Sequence, residues 1–363
     1  MQQPVSYTHD FLYAKRSMGD LPADEFIRRQ FSAAGSKAAL YAWMESAAVN
    51  DQLLHLPEAY KSYDFMNNAS TLPIWADRKL MSRGYAFFAA HAEVIMNLLG
   101  LLSLPYCYAA ADGAMVLQLS ERMQKDTGRR LNETAAFIWD VMAPDAFEKD
   151  GKGFLRILQV RLQHAAARYY SAASGKWDPI WGIPLNQEDM AGTNLSFSLI
   201  VIRGLRKLGY TVQYESQLGF MHLWNVIGYL LGLNEDLLPE TGKQAQLLEA
   251  MIRKRHFRAS DHGQSLTRAL TDYLSLAAKK QSVSNQELTG LMRYLLGDEV
   301  SALLKLSAPE LSPGKIQLLK LINVVRNLDT RGNTYAAYKA AQRKFKLLEQ
   351  QSASRQTSGG TLL

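Results

Sequence analysis

The stretch FLRILQVRLQHAAARYY, residues 154–170, sets its apolar side chains three and four positions apart. That spacing gathers them on one face of an α-helix. Working outward, it returns in GYAFFAAHAEVIMNLLG at 84–100 and LNETAAFIWDVM at 131–142. It returns again over 192–208, 218–233, 244–256, 264–280 and 286–296. Period-two alternation, the mark of a half-buried strand, is best represented by the short TVQYE at 211–215. Between the periodic stretches, LPIWADR (72–78), DGKG (150–153), GKWDPIWGIP (175–184) and LSPGK (311–315) read as loops or turns. The pattern predicts an all-α, multi-helix single domain over residues 1–350. Residues 351–363 lack an apolar period and are expected to form a flexible tail.

Composition narrows the function classes. A chain with 47% hydrophobic and 21% charged residues is globular rather than disordered. A single cysteine, Cys107, excludes an intrachain disulfide framework and any CxxC zinc site. The first residues carry no basic segment followed by an apolar one, so a cytoplasmic location is expected. The net charge is +7, with the excess concentrated between Lys315 and Lys346. No zinc-finger spacing or aromatic-basic RNA motif accompanies it. The basic run therefore reads as a solvated helix face, and no nucleic-acid partner is expected. The uncharged run VIMNLLGLLSLPYCYAAA, residues 94–111, touches the lower length limit of a membrane span. Pro105 should interrupt it, giving a buried helix followed by a loop. Any membrane contact would then be peripheral. Nothing in the sequence sets the oligomeric state.

The chemistry concentrates in VRLQHAAAR, residues 160–168. On a helix, Arg161 and Arg168 lie about 20° apart and His164 about 60° from Arg161. Cations on either side disfavour the imidazolium and hold His164 neutral, the form that binds a metal or haem iron. The arginines suit anions, for which a pair of porphyrin propionates is a match. Ala165, Ala166 and Ala167 would let a flat ring approach the backbone. The seven histidines include no HxxxH pair, so a multi-histidine site is not indicated. His91 and His222 sit among apolar residues and read as core. Upstream, Arg130, Glu133 and Thr134 share a helix face. They read either as a surface ion pair with a helix-start pattern, or as a pocket cluster of an acid or base and a hydrogen-bond donor. Cys107 has no basic neighbour in sequence and reads as inert. Nucleotide-binding glycine loops and nucleophile elbows are absent.

Five marks in order resemble one family. They are LPIWADRKLMSRG (72–84), Arg130-Leu131 with Thr134, VRLQHAAAR (160–168), GIPLNQEDMAGTNLSFS (182–198) and HLWNVIGYLLGLNEDLLP (222–239). Together, over roughly residues 70–300, they resemble the catalytic domain of MpaB-type and rubber oxygenases (latex-clearing proteins). The resemblance implies a globin-like helical core holding one haem b, with its iron on His164 and with Arg161 and Arg168 serving haem binding or stability. Arg130, Glu133 and Thr134 match the family's distal polar group. Rubber-cleaving members carry a lysine where this chain has Glu133. The implied activity is haem-dependent use of O2 to oxidise or cleave a C=C bond of an apolar isoprenoid or lipid-like substrate. The alternative is a helical haem- or lipid-binding protein without turnover.

Overall fold

Helix ends form where the sequence supplies acceptors for unsatisfied backbone N–H groups. A computed structural model describes residues 6–119, 127–279, 283–327 and 333–357. The chain begins with α1 (His9–Arg16), α2 (Leu21–Ser32), α3 (Ser36–Ser46), the one-turn α4 (Asp64–Asn67) and the long α5 (Arg78–Leu98). A π-helical turn, Leu99–Ser103, leads into α6 (Leu104–Tyr108), and α7 (Ala111–Leu119) follows. The centre holds α8 (Thr127–Val141), α9 (Gly153–Ala173), α10 (Gln187–Phe197), α11 (Leu199–Lys207), α12 (Tyr214–Leu230) and α13 (Gly242–His256). The remainder is α14 (Asp261–Lys279), α15 (Asn285–Leu296), α16 (Asp298–Leu303), α17 (Pro313–Asn327) and α18 (Thr334–Thr357). Asp77 caps α5 by accepting from the N–H groups of Lys79 and Leu80. Asn186 caps α10 by accepting from Asp189. Thr241 with Gln244, and Ser284 with Glu287, form capping boxes on α13 and α15.

The all-α expectation holds among the described residues, where the one β-type contact is an isolated bridge between Ala110 and Phe257. TVQYE is not a strand. Its first three residues are irregular and Tyr214 opens α12. Val212 is buried there, but among the described residues no strand pairs with it. The loop expected at Pro105 is also absent. The π turn widens the helix at Leu99–Ser103, and Pro105 falls in the first turn of α6. There the wider π turn gives the proline ring room that a uniform α-helix would deny it. The helical path therefore runs unbroken from Arg78 to Tyr108, long and apolar enough to cross a membrane, with 61% of its most apolar window buried inside the protein. It serves here as the core helix. Residues 351–357, expected in the tail, continue α18, and residues 358–363 lie outside the described residues.

Two glycines let α5 and α12 cross closely. A Cβ on Gly84 would lie 2.6 Å from the Gly219 carbonyl oxygen, and one on Gly219 would lie 2.8 Å from the Leu80 carbonyl oxygen. From α18, Tyr338, 1% exposed, packs against the touching rings of Phe88 and Trp139. The Tyr338 hydroxyl donates to the Trp139 carbonyl at 2.6 Å. Of the basic carboxyl-terminal residues, Lys315 and Lys344 are exposed and pair with Glu287 and Glu93, while Arg331 lies outside the described residues.

Candidate functional site

The buried faces of α6, α8, α9, α10, α12 and α13 do not close completely. They leave a cavity of about 390 Å³, a size ordinary for a small-molecule site. His164 enters it from α9, and Arg130, Glu133 and Thr134 from α8. The two motifs, thirty residues apart in sequence, thus reach one space. Most of the remaining wall is apolar, with Leu104, Phe137, Val160, Leu195, Phe197 and Ile252 among its members.

His164 is held neutral. Burial and the Arg168 charge pull its pKa down to about 4, with Asp20 opposing. Burial is thus the larger of the two depressing causes. Its Nδ1 is buried with no hydrogen-bond partner. An orphaned imidazole nitrogen costs about 1–3 kcal/mol unless something else at the ring compensates. Among the described residues, no group of three His, Cys, Asp or Glu could hold a metal ion. Described side chains of these types therefore do not complete a metal shell around His164. A lone neutral imidazole beside an apolar cavity is a donor set that fits haem.

The arginines stand elsewhere. Arg161 makes a two-pronged pair with Asp20, Nε–Oδ2 2.6 Å and Nη2–Oδ1 2.8 Å, and lies over the Phe65 ring. It borders a second, wider recess of about 1160 Å³ beside the α1–α2 turn. Arg168 binds Asp24, Nε–Oδ1 2.5 Å, and donates to the Leu185 carbonyl. Neither arginine lines the cavity that His164 enters, although Arg168 is close enough for its charge to act on the imidazole. About 60° of helix rotation separates His164 from Arg161 and about 40° separates it from Arg168, enough for the imidazole to meet the cavity while the arginines turn to carboxylates supplied by residues 20 and 24.

The α8 group divides as well. Glu133 lies at the cavity edge, and its carboxylate pairs with Arg129 at 2.9 Å rather than with Arg130. Thr134 donates its hydroxyl proton to the Arg130 carbonyl at 2.9 Å. The Arg130 guanidinium stands over the Tyr108 ring at 5.6 Å, and no carboxylate among the described residues pairs with it. Cys107 lies on the cavity wall, where burial pushes its thiol pKa up while Arg130 opposes. That basic neighbour comes from another helix, out of reach of a reading along the sequence. His91 is core as expected. His222 is half-buried instead, and its Nε2 accepts the Asp77 N–H at 2.9 Å where α5 begins.

Other site residues had no local signal. Asp189 and His256 reach the cavity from a buried ionic network. Arg16 contacts Asp189 at 3.0 Å and Glu188 at 3.5 Å, while His256 Nε2 lies 2.9 Å from Glu188. Arg255 binds Glu188 at 2.7 Å, and Arg258 binds Asp112. These charges come from α1, α7, α10 and the end of α13, so only the fold assembles them. Asn194 and Trp224 also line the cavity. Both lie inside segments that carried the family resemblance, but nothing in the spacing marked them as polar groups of a pocket.

Comparison with known proteins identifies the architecture. Residues 78–326 match the family model described as ER-bound oxygenase mpaB/B'/Rubber oxygenase, catalytic domain. The chain belongs to this family. Within this oxygenase family it is 26% identical over 279 residues to the Rubber oxygenase of Streptomyces sp. (strain K30), covering 75% of this chain and 67% of that relative. The structure of Latex Clearing Protein LCP in the closed state matches with a TM-score of 0.74 at 22% identity. That match covers 91% of this chain and 90% of the other, so the shared fold extends beyond residues 78–326.

Proposed function

We propose that this family member is a haem b-dependent oxygenase that uses O2 to oxidise or cleave a C=C bond of an apolar, isoprenoid or lipid-like substrate. The observation that carries the reading is the neutral His164 imidazole, its Nδ1 unpartnered, on an apolar cavity that Arg130, Glu133 and Thr134 also enter. A helical core that cradles haem in the globin manner is part of the same proposal. When bound, the haem supplies dioxygen binding and activation.

The protein's share is positioning and electrostatics. His164 would hold the iron, its imidazole unprotonated and so free to ligate. Arg161 and Arg168 act from behind, tying α9 to Asp20 and Asp24 so that the imidazole holds its direction. Arg130 brings a cation to the cavity, where it stabilises negative charge that develops on oxygen. Glu133 can hold a proton at its carboxylate, and Thr134 offers hydroxyl lone pairs. The apolar wall excludes water and receives the hydrocarbon part of the substrate. A relative is named a rubber oxygenase, and a polyisoprene-like C=C bond is the corresponding expectation for this chain.

The test is a spectrum. Full-length protein from haem-supplemented cells should show a Soret band and about one haem per chain by pyridine haemochrome, and His164→Ala should lose both while keeping its circular dichroism. Equal haem in the variant would overturn the assignment. Oxygen uptake with unsaturated hydrocarbons separates an oxygenase from a protein that binds haem or lipid without turnover.

A further inference from the structure

The wider recess beside the α1–α2 turn has no part in the reading above. It measures about 1160 Å³ and backs onto the same walls as the His164 cavity. Three segments stand between the two spaces, and each turns neighbouring residues to both. On α9, Val160 and His164 line the cavity while Ile157, Leu158 and Arg161 line the recess. At the end of α12, Gly228 lines the cavity while Tyr229 and Leu230 line the recess. Between α9 and α10, Leu185 faces the cavity and Ile183 the recess. Leu233, 3% exposed, borders both spaces.

The recess opens to solvent through an apolar mouth. Leu21 is 76% exposed there and Ile74 is fully exposed, and Phe65 and Leu72 continue the lining. Its charges are already engaged. Arg161 pairs with Asp20, Asp24 with Arg168, and Asp236 with Lys15. Glu235 accepts from the Trp75 indole at 3.0 Å. The cation in the lining, Arg161, is therefore spoken for, and what the recess offers a ligand is hydrocarbon surface. The backbone at Leu233 is pinned by the end of α12. The Leu233 N–H donates to the Gly228 carbonyl at 2.9 Å and the Gly232 N–H to the Tyr229 carbonyl at 2.9 Å, with Gly232 left-handed at φ 92°. Gln187 holds the same turn, donating to the Gly232 carbonyl at 2.9 Å and accepting from the Asn234 N–H at 2.8 Å. With the frame fixed, the size of one side chain sets how far the two spaces join.

We infer that the recess is a second binding site, for the outer part of an extended apolar chain whose reacting part lies in the His164 cavity, and that Leu233 is the specificity-determining side chain between them. This rests on the reading of the cavity as a substrate site, and it makes chain length the property selected. A cavity of about 390 Å³ that also receives a cofactor leaves little space for a long chain, and the recess supplies the remainder. Each methylene that leaves water for the recess raises affinity by about fourfold at full burial.

The experiment is titration of the full-length protein with geraniol, farnesol and geranylgeraniol, which differ only in their number of isoprene units, at concentrations where the alcohols stay dispersed. Geranylgeraniol should bind tighter than geraniol by about tenfold or more. Ile74→Glu and Leu21→Gln place polar groups on exposed side chains at the mouth, where folding does not depend on them. Each should cut that ratio by about threefold or more and leave the affinity for geraniol unchanged, which also reports an intact cavity. Leu233→Ala widens the join and should raise the ratio. Equal affinity along the series in the unaltered protein would overturn the second site. A rise with length that survives both mouth variants would overturn it too, because the chain would then lie elsewhere. An unchanged ratio in Leu233→Ala would overturn the role of Leu233. Oxygen uptake in the same samples separates the two claims. Length preference without uptake keeps the second site and removes the oxygenase reading, whereas uptake with binding blind to length does the reverse.

Discussion

His91 and His256 are both buried, and their surroundings drive them in opposite directions. His91 lies against Phe87 and Tyr210, and burial pulls its pKa down to about 4. A base depressed in the folded state contributes stability above the unfolded value of about 6.5, and that contribution is lost as pH falls from there toward the folded value. His256 is the reverse. Its pKa is raised against the cost of burial by two carboxylates, Glu188 at 2.9 Å from Nε2 and Asp112 at 3.8 Å from Nδ1. Its contribution is complete below about 6.5 and lost as pH rises through the raised folded value. Thermal midpoints across pH 4–9 should therefore show His91→Leu flattening the acid limb and His256→Gln flattening the neutral-to-alkaline limb. A second prediction concerns Asp20, whose side chain is 2% exposed and whose carboxylate is the partner of Arg161. Asp20→Ala leaves that cation uncompensated and should cost about 3 kcal/mol in chemical denaturation. At this scale the sequence disclosed the unusual residues better than their company. His164 between two arginines was legible because the helix period places them. Asp20 and Asp24 were not, because each partnership spans elements whose approach only tertiary structure sets.

Helices were legible from spacing, but two junctions were not. Pro105 reads as a stop when helices are assumed to be uniformly α, and the π turn removes that assumption by adding a residue to one turn just before the proline. Deleting one residue from Leu99–Ser103 should restore α geometry and rotate α6 by about 100°. Tyr106, Cys107 and Tyr108 would then leave the cavity wall. The deletion variant should lose ligand binding more than it loses helix content, as circular dichroism paired with titration will report. The alternation in TVQYE shows the complementary limit, since a period of two over five residues does not say whether a partner strand exists. The α5–α12 crossing yields a fourth expectation. Gly219→Val places atoms against the Leu80 carbonyl and the Arg83 side chain, and should destabilise by about 2 kcal/mol or more in urea unfolding.

For the molecule as a whole, the helical architecture was evident from the sequence, while the reach of its cooperative unit was not. Removing residues 334–363 takes away Tyr338 and the aromatic packing it makes on Phe88 and Trp139. Trp139 belongs to α8, which also carries Arg130, Glu133 and Thr134. The truncated chain should melt several degrees lower, and its midpoint should remain below that of the full chain at every pH. The pairing of Arg161 with Asp20 and of Arg168 with Asp24 has a consequence for where this fold can be cut. The family match opens at residue 78, yet the helix bearing His164 draws its countercharges from residues 20 and 24. A fragment trimmed to the matched span would carry two stranded guanidinium groups at its centre, so the modular boundary suggested by similarity passes through a single electrostatic unit.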